Sequence, residues 1–432
     1  MGGGHIQLVA FGEQDMYITG NPQMSYFQSV YKRHTNFSIE CIEIQHSGAI
    51  SENGGILDYK VGRHGDLLYK TFLDITFPEQ TNVTSQGYIN YTNVTANALI
   101  KQIDFEIGEQ LIDRQYGHWY DVRNEFYDEE HAECFLINKQ LSVQNDIKDE
   151  TIKNLPKVNT YLPLHFWFCD NPGLALPLIA LQYHNVDFKI HYRALKHLVV
   201  GDGIDVDLDS VSFQPPIIKL YADYIYLDTE ERKRFAKSSH EYLIEQVQLN
   251  KLNLTNNVDI KFNHSIKSLF WVIQHNTVIQ ESTTVSSIDI SNNDPDFSGF
   301  GSHKNDYFNY ETDSTSYTNN FYLQSHKDHF NKCKLVINGV DRFNPQPAYY
   351  FRTIHPHNLK LKMPDKTAYM YSFALKPTQF EPSGSFNFSK IDSSQLQFVD
   401  GSVDTNYTIS VYAVNYNILR IMSGMGGILF SN

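Results

Sequence analysis

Cationic residues are in short supply. The 432-residue chain carries 35 Lys and Arg against 49 Asp and Glu, a net charge of −14 with His neutral. A nucleic-acid coat needs clustered cations to displace phosphate counterions, so this balance excludes a general one. Cysteine is sparse: Cys41, Cys134, Cys169 and Cys333 lie far apart. They have neither zinc spacing nor the density of a disulfide scaffold, and they read as reduced core thiols. Long apolar runs are also missing. The longest apolar region, 162–181, is interrupted by His165, Asp170, Asn171, Pro172 and Pro177, which rules it out as a bilayer span. The opening Met1-Gly2-Gly3-Gly4-His5-Ile6 has no basic start and no apolar stretch of a secretory leader. Ile6 stands where a myristoylation signal wants Ser or Thr. No Gly-rich phosphate loop, nucleophile elbow or His-Glu-x-x-His occurs, so no enzyme is expected.

Aromatic residues, by contrast, are plentiful. With 28 Tyr and 28 Phe, the chain suits pleated, half-buried surfaces and predicts an all-β protein. Alternating or apolar runs at 37–44, 67–77, 100–107, 162–168, 176–183, 186–192 and 206–213 predict strands in the first half. Further strands are expected at 221–226, 242–249, 266–274, 333–337, 370–375, 396–399 and 407–416. Many short strands between polar loops favour sandwiches over parallel α/β units. Asp228 with Glu231 three residues on predicts a capped helix over 230–237, and 121–157 reads as partly helical. The segments 79–98 and 283–325 read as long surface loops, the second rich in Ser, Asn, Asp and Tyr. Its tyrosines raise a second expectation, a sugar-binding role.

Two breaks organise the chain. Gly20-Asn21-Pro22 ends an N-terminal arm, and Pro215-Pro216 interrupts the chain near its middle. A faint repeat spans that midpoint. Gly108, Asp113-Arg114 and Tyr120-Asp121-Val122-Arg123 are echoed by Gly339, Asp341-Arg342 and Tyr349-Tyr350-Phe351-Arg352. An offset near half the chain length predicts two copies of one module.

Polar clusters are read blandly. His326 and His329 flank Asp328, and His355 and His357 flank Pro356, with no third metal ligand apparent. Asp202, Asp205, Asp207 and Asp209 alternate with apolar residues as the wet face of a strand would, rather than as a calcium loop. The basic runs Lys32-Arg33-His34 and Arg232-Lys233-Arg234 are short enough for a solvated face or a protein contact. Sequons cluster at Asn82, Asn90 and Asn93, the candidate glycosylation sites. No catalytic, cofactor or metal residue is assigned.

Several blocks carry a family resemblance. They are Gln7 through Gln23 with Phe27 through Phe37, Phe166-Trp167-Phe168-Cys169-Asp170-Asn171-Pro172-Gly173 running on to His184, and Asp223 through Phe235. Later come Asn338-Gly339-Val340-Asp341-Arg342-Phe343, Tyr371 through Pro377, and Val411 through Gly427. Together they resemble the major capsid proteins of large eukaryotic DNA viruses, algal-virus type. The resemblance implies a double jelly roll: two tandem eight-stranded sandwiches with short helices in loops, the arm at 1–25, the first jelly roll at 26–214 and the second at 215–432. It further implies a homotrimer of near-hexagonal outline, packed beside neighbouring capsomers in the outer shell of an icosahedral virion made in the host cytoplasm. Minor capsid proteins at the inner face, an internal membrane met only indirectly, and no direct nucleic acid follow from the same resemblance. The loops 79–98 and 283–325 lie outside the matching blocks and are the candidates for host-surface contact.

Overall fold

The computed structural model describes residues 3–81, 83, 88–127, 154–202, 206–281, 284–285, 305, 307–310, 328–401 and 403–431. The chain divides into two bodies, residues 1–37 and residues 38–432. In the first, a helix α1 (Gly3–Val9) and a turn of helix at Met16–Thr19 have no buried residue. Asp15 Oδ2 accepts from Gly12 N at 2.9 Å, which rounds the bend between them. Ile6, Leu8, Tyr17, Ile18 and Phe27 all stand exposed.

The larger body is built from sixteen principal strands. The first eight are β1 (Phe37–Ile44), β2 (Gly55–Lys60), β3 (Leu67–Phe77), β4 (Ile100–Ile107), β5 (Gln110–Gln115), β6 (Val158–Pro163), β7 (Val186–Tyr192) and β8 (Ile217–Leu227). The next eight are β9 (His240–Asn253), β10 (Asn257–Asp259), β11 (Ser265–His275), β12 (Lys332–Ile337), β13 (Val340–Asp341), β14 (Ala368–Ser372), β15 (Ser394–Val399) and β16 (Tyr407–Met422). One sheet of the first set runs β1-β8-β3-β6 and the other β2-β7-β4-β5. The second set repeats this: β9-β16-β11-β14 faces β10-β15-β12-β13. Adding eight to each strand number converts one order into the other. This is a double jelly roll.

Local chemistry accounts for the strands. In β3, Leu73, Ile75 and Phe77 are fully buried, while Asp74 and Thr76 point outward, as period-two alternation requires. Leu220 and Ile218 of β8 lie opposite Leu73 and Ile75 and complete that inner face. The hairpins β4–β5 and β12–β13 turn on two residues each, Gly108-Glu109 and Asn338-Gly339, all four with positive φ. That is the primed turn whose twist matches antiparallel strands. The faint repeat is therefore this hairpin in both sandwiches, each followed by a helical segment: α2 (Gly117–Phe126) in the first and Tyr350–Ile354 in the second.

Several expectations shift. The strand after Pro215-Pro216 is β8, which pairs with β3 and so closes the first sandwich. The chain crosses between the sandwiches at α3 (Thr229–Lys237), where Asp228 is the N-cap as expected, although its Oδ1 accepts from the adjacent Thr229 N rather than from the N–H three residues on. The runs 176–183 and 206–213 contribute only two-residue bridges, at Leu176–Pro177 and Val206–Asp207. In the first of these, Pro177 has no N–H to continue a ladder, and the following Leu178, Ala180 and Leu181 are buried in the core without pairing in a strand. Loop 79–98 is not wholly a surface loop: Val94, Ala96 and Ala98 are fully buried, in or beside a short helix (Thr95–Leu99). Most of 283–325 lies outside the described residues, but Tyr307, Phe308 and Tyr310 are buried.

Candidate functional site

The chain has a seam where its two sandwiches meet. The strand β11 is buried along almost its whole length, on both faces. Leu269, Trp271 and Ile273 point into the core of the second sandwich. Phe270 and Val272 point the other way and join the core of the first, together with Ala368, Met370, Tyr412 and Val414. The non-alternating run Leu269-Phe270-Trp271-Val272-Ile273 reflects this double burial. One continuous apolar core therefore links the modules, unlike the thin, polar contact usual between separate domains.

The helix α2 sits on that seam, with eight of its ten residues buried. Trp119 packs edge-on against Phe270 at 5.3 Å, and Phe126 lies 5.4 Å from the same ring. Asp121 and Glu125 are one turn apart and share a face. Asp121 is 1% exposed. Its carboxylate accepts from Lys366 Nζ at 2.8 and 3.0 Å and from the Tyr310 hydroxyl at 2.6 Å. Glu125 Oε2 accepts from the backbone N–H groups of Asp365 and Lys366. The Lys366 ammonium also lies over the rings of Phe308 and Tyr310. On the neighbouring strand, Asp113 Oδ1 accepts from Val247 N at 3.1 Å, and Gln246 donates to the Ile112 carbonyl. Burial pushes the Asp113 carboxyl up to about 6.

Gly117 starts α2 where nothing larger fits. A Cβ there would lie 2.0 Å from Asn97 O and 2.3 Å from Ile100 O. Gly117→Ala is expected to cost roughly 1–3 kcal/mol or more by overpacking. A lowered urea midpoint with an unchanged slope would show it; an unchanged midpoint would contradict the close approach.

The polar clusters singled out from sequence disperse. Asp328 Oδ1 accepts from the Tyr369 hydroxyl at 3.1 Å and pairs with Arg352 at 3.2 Å. His329 is buried against Tyr407, and desolvation lowers its pKa to about 3; His326 lies outside the described residues. His355 Nε2 accepts from Ser372 N at 2.9 Å and the ring stacks on Tyr371, whereas His357 is exposed. Asp207 Oδ1 caps its own turn through Asp209 N, and Asp209 pairs with Lys196 at 2.7 Å. The side chains of Asp202 and Asp205 are outside the described set. Among the described residues no group of three or more His, Cys, Asp or Glu is placed to hold a metal. Arg232 of the second basic run pairs with buried Asp66 at 2.9 Å. Cys169 and Cys333 are buried, but Cys41 is exposed on the outer edge strand β1. Cys134 and Asn82 lie outside the described residues. Asn90 and Asn93 are half-buried, each accepting from the next backbone N–H, and the sequon threonines Thr92 and Thr95 are buried.

Sequence reasoning missed Asp121, Glu125, Lys366 and His118. The available signal was two acids spaced i, i+4 within an aromatic-rich segment, His118 to Phe126.

The chain resembles known proteins throughout. The family described as "Major capsid protein N-terminus" matches residues 25–228, and "Large eukaryotic DNA virus major capsid protein" matches 231–427. The major capsid protein of Pyramimonas orientalis virus is 36% identical, with both chains covered over 100% of their length. That of Paramecium bursaria Chlorella virus 1 is 33% identical with the same coverage. Among solved structures, VP54 of PBCV-1 superposes with a TM-score of 0.72 at 27% identity, covering 94% of this chain and 100% of VP54. The Faustovirus major capsid protein shares the fold, with a TM-score of 0.70 at 12% identity over 95% of this chain and 94% of its own.

Proposed function

The chain belongs to the major capsid proteins of large eukaryotic DNA viruses, and from that premise we propose that three copies form a near-hexagonal capsomer. It is a structural protein of the virion shell, and it assembles with neighbouring capsomers. The observation that supports the trimer is the repeated strand order joined by a continuous core. Two alike modules held rigidly in one chain let three chains offer six similar walls, and six similar walls tile a flat lattice. Lateral contacts then repeat across the particle, so each one can be weak.

On this reading the chain acts through packing and carries out no catalysis. The arm, the first jelly roll and the second jelly roll divide the labour. The exposed apolar residues of the arm support its being ordered by neighbours, because helices this short are marginal in water on their own. Minor capsid proteins at the inner face are the proposed neighbours, with the internal membrane reached only through them. The net charge of −14 supports an outer shell without direct nucleic-acid contact. Assembly in the host cytoplasm and host contact through parts of 79–98 and 283–325 complete the proposal. Glycan attachment at Asn90 or Asn93 requires modification before folding, since Thr92 and Thr95 are buried; with Asn82, intact mass of the virion-derived chain decides it.

Two measurements test the capsomer. Light scattering of the purified chain is expected to give about 150 kDa, three times the chain mass of 49.9 kDa; a monomer overturns the proposal. Deleting residues 1–25 is expected to leave the shortened chain trimeric while lattice assembly suffers. If the trimer itself falls apart, the arm has been assigned the wrong task.

A further inference from the structure

His118 lies on α2 at the centre of the seam. Its Nδ1 shares a hydrogen bond of 2.6 Å with the hydroxyl of Tyr412 on β16, across the junction. The ring stacks on Phe308 at 6.0 Å and meets Tyr310 edge-on at 5.6 Å. Its Nε2 is sealed from water and has no partner among the described residues. In the neutral ring that atom can be the lone-pair nitrogen, which is the cheaper group to bury. Once protonated, both nitrogens are donors, and Nε2–H would be a charged donor with nothing to bond.

The surrounding charges make this worse. Lys251 on β9, Arg193 just after β7 and Lys366 before β14 all act on the ring as positive charges. Two of the three already have anionic partners: Lys366 holds Asp121, and Arg193 reaches Glu281 at 3.3 Å. Asp121, one turn along α2, is held by Lys366 and Tyr310 on both of its oxygens, and no hydrogen bond joins it to His118. Tyr412 and Tyr310, the ring neighbours that can titrate among the described residues, are buried phenols whose own pKa values are raised. Among the described residues, no anion is hydrogen-bonded to His118 to compensate an imidazolium. Burial with these three cations lowers its pKa from 6.5 to about 3. On the far side of the same helix, His165 packs edge-on against Tyr120, and burial holds its pKa well below the ordinary value too.

We propose that α2 is an acid-sensitive latch between the two sandwiches: a proton taken up by His118 breaks its seating against Tyr412 and Phe308 and releases the seam. The sign follows from linkage. The released helix binds a proton at the ordinary histidine pH while the closed one does not, so closure is fully favoured above about 6.5 and weakens steadily below it. The latch belongs to a single chain and does not depend on the number of chains in a capsomer.

Amide hydrogen exchange on the full-length protein in its native assembly tests this. After correction for the intrinsic pH dependence of exchange, opening of residues 117–126 is expected to rise about fifty-fold between pH 6.5 and 4.5, close to tenfold per unit over the lower part of that range. In His118→Gln, whose neutral amide can still reach Tyr412, that one-proton rise is expected to disappear, with exchange at pH 7.5 unchanged. A wild-type seam that stays closed at pH 4.5, or a variant that opens as steeply as wild type, overturns the proposal. Imidazole C2–H exchange in the wild-type protein provides a check that needs no variant. His118 in the closed state is expected to titrate far below 6.5; a midpoint near 6.5 with α2 still protected would refute the latch.

Discussion

Lys366→Ala is expected to destabilise the chain by about 3–5 kcal/mol, the usual loss when one partner of a buried ion pair is removed. Asp121 is almost wholly excluded from water, and without the ammonium the Tyr310 hydroxyl is the one partner left to its carboxylate among the described residues. The backbone contacts of Glu125 to Asp365 and Lys366 survive, so the loop stays in place and the loss reads the uncompensated carboxylate. Urea unfolding followed by Trp fluorescence is the measurement, because Trp119 reports from the same helix. The double replacement Asp121→Leu with Lys366→Met is expected to recover most of the loss, since apolar side chains of similar size often replace a buried pair without cost. A double variant as weak as the single one would mean that the pair contributes geometry rather than charge balance.

Phe105→Ala is expected to cost a similar amount, about 3–5 kcal/mol, from a different cause. Phe105 on β4 is fully buried and is the hub of a ring cluster: Phe188 at 5.0 Å, Phe168 at 5.2 Å, Phe166 at 5.3 Å and Trp167 at 5.4 Å. Truncation removes the transfer free energy of the ring and leaves a cavity that four stiff aromatic neighbours cannot close. Phe105→Leu is expected to lose distinctly less. Equal effects for the two variants would show that the cluster relaxes into the gap. The thermal midpoint, read at fixed protein concentration because assembly shifts it, separates these outcomes.

Features that act over a few residues could be read directly. Gly108 and Gly339, each closing an apolar run ahead of an echoed Asp-Arg pair, marked the two copies of the module, and each lies in the two-residue turn of a hairpin. Asp228 followed by Glu231 announced α3. The apolar run 176–183 misled, because an apolar segment can be buried in a core without pairing in a sheet. Tyr307, Phe308 and Tyr310 misled in the opposite direction. Amid Ser, Asn and Asp they suggested a surface loop, yet they are covered at the seam. The site stayed hidden for a related reason: Asp121 and Lys366 are 245 residues apart, and nothing within either segment marks the other as its partner.

Alternation and turn residues were enough to predict an all-β chain, and the faint repeat its duplication. These properties come from neighbours along the backbone and from composition, both present before the chain folds. Which acid faces which lysine, which histidine is sealed from water, and on which side of the double proline the first sandwich ends were decided only when strands distant in sequence closed against each other. Burial is a property of that closure, and burial is what turns Asp121, Lys366 and His118 from ordinary polar residues into the groups that hold the two sandwiches together.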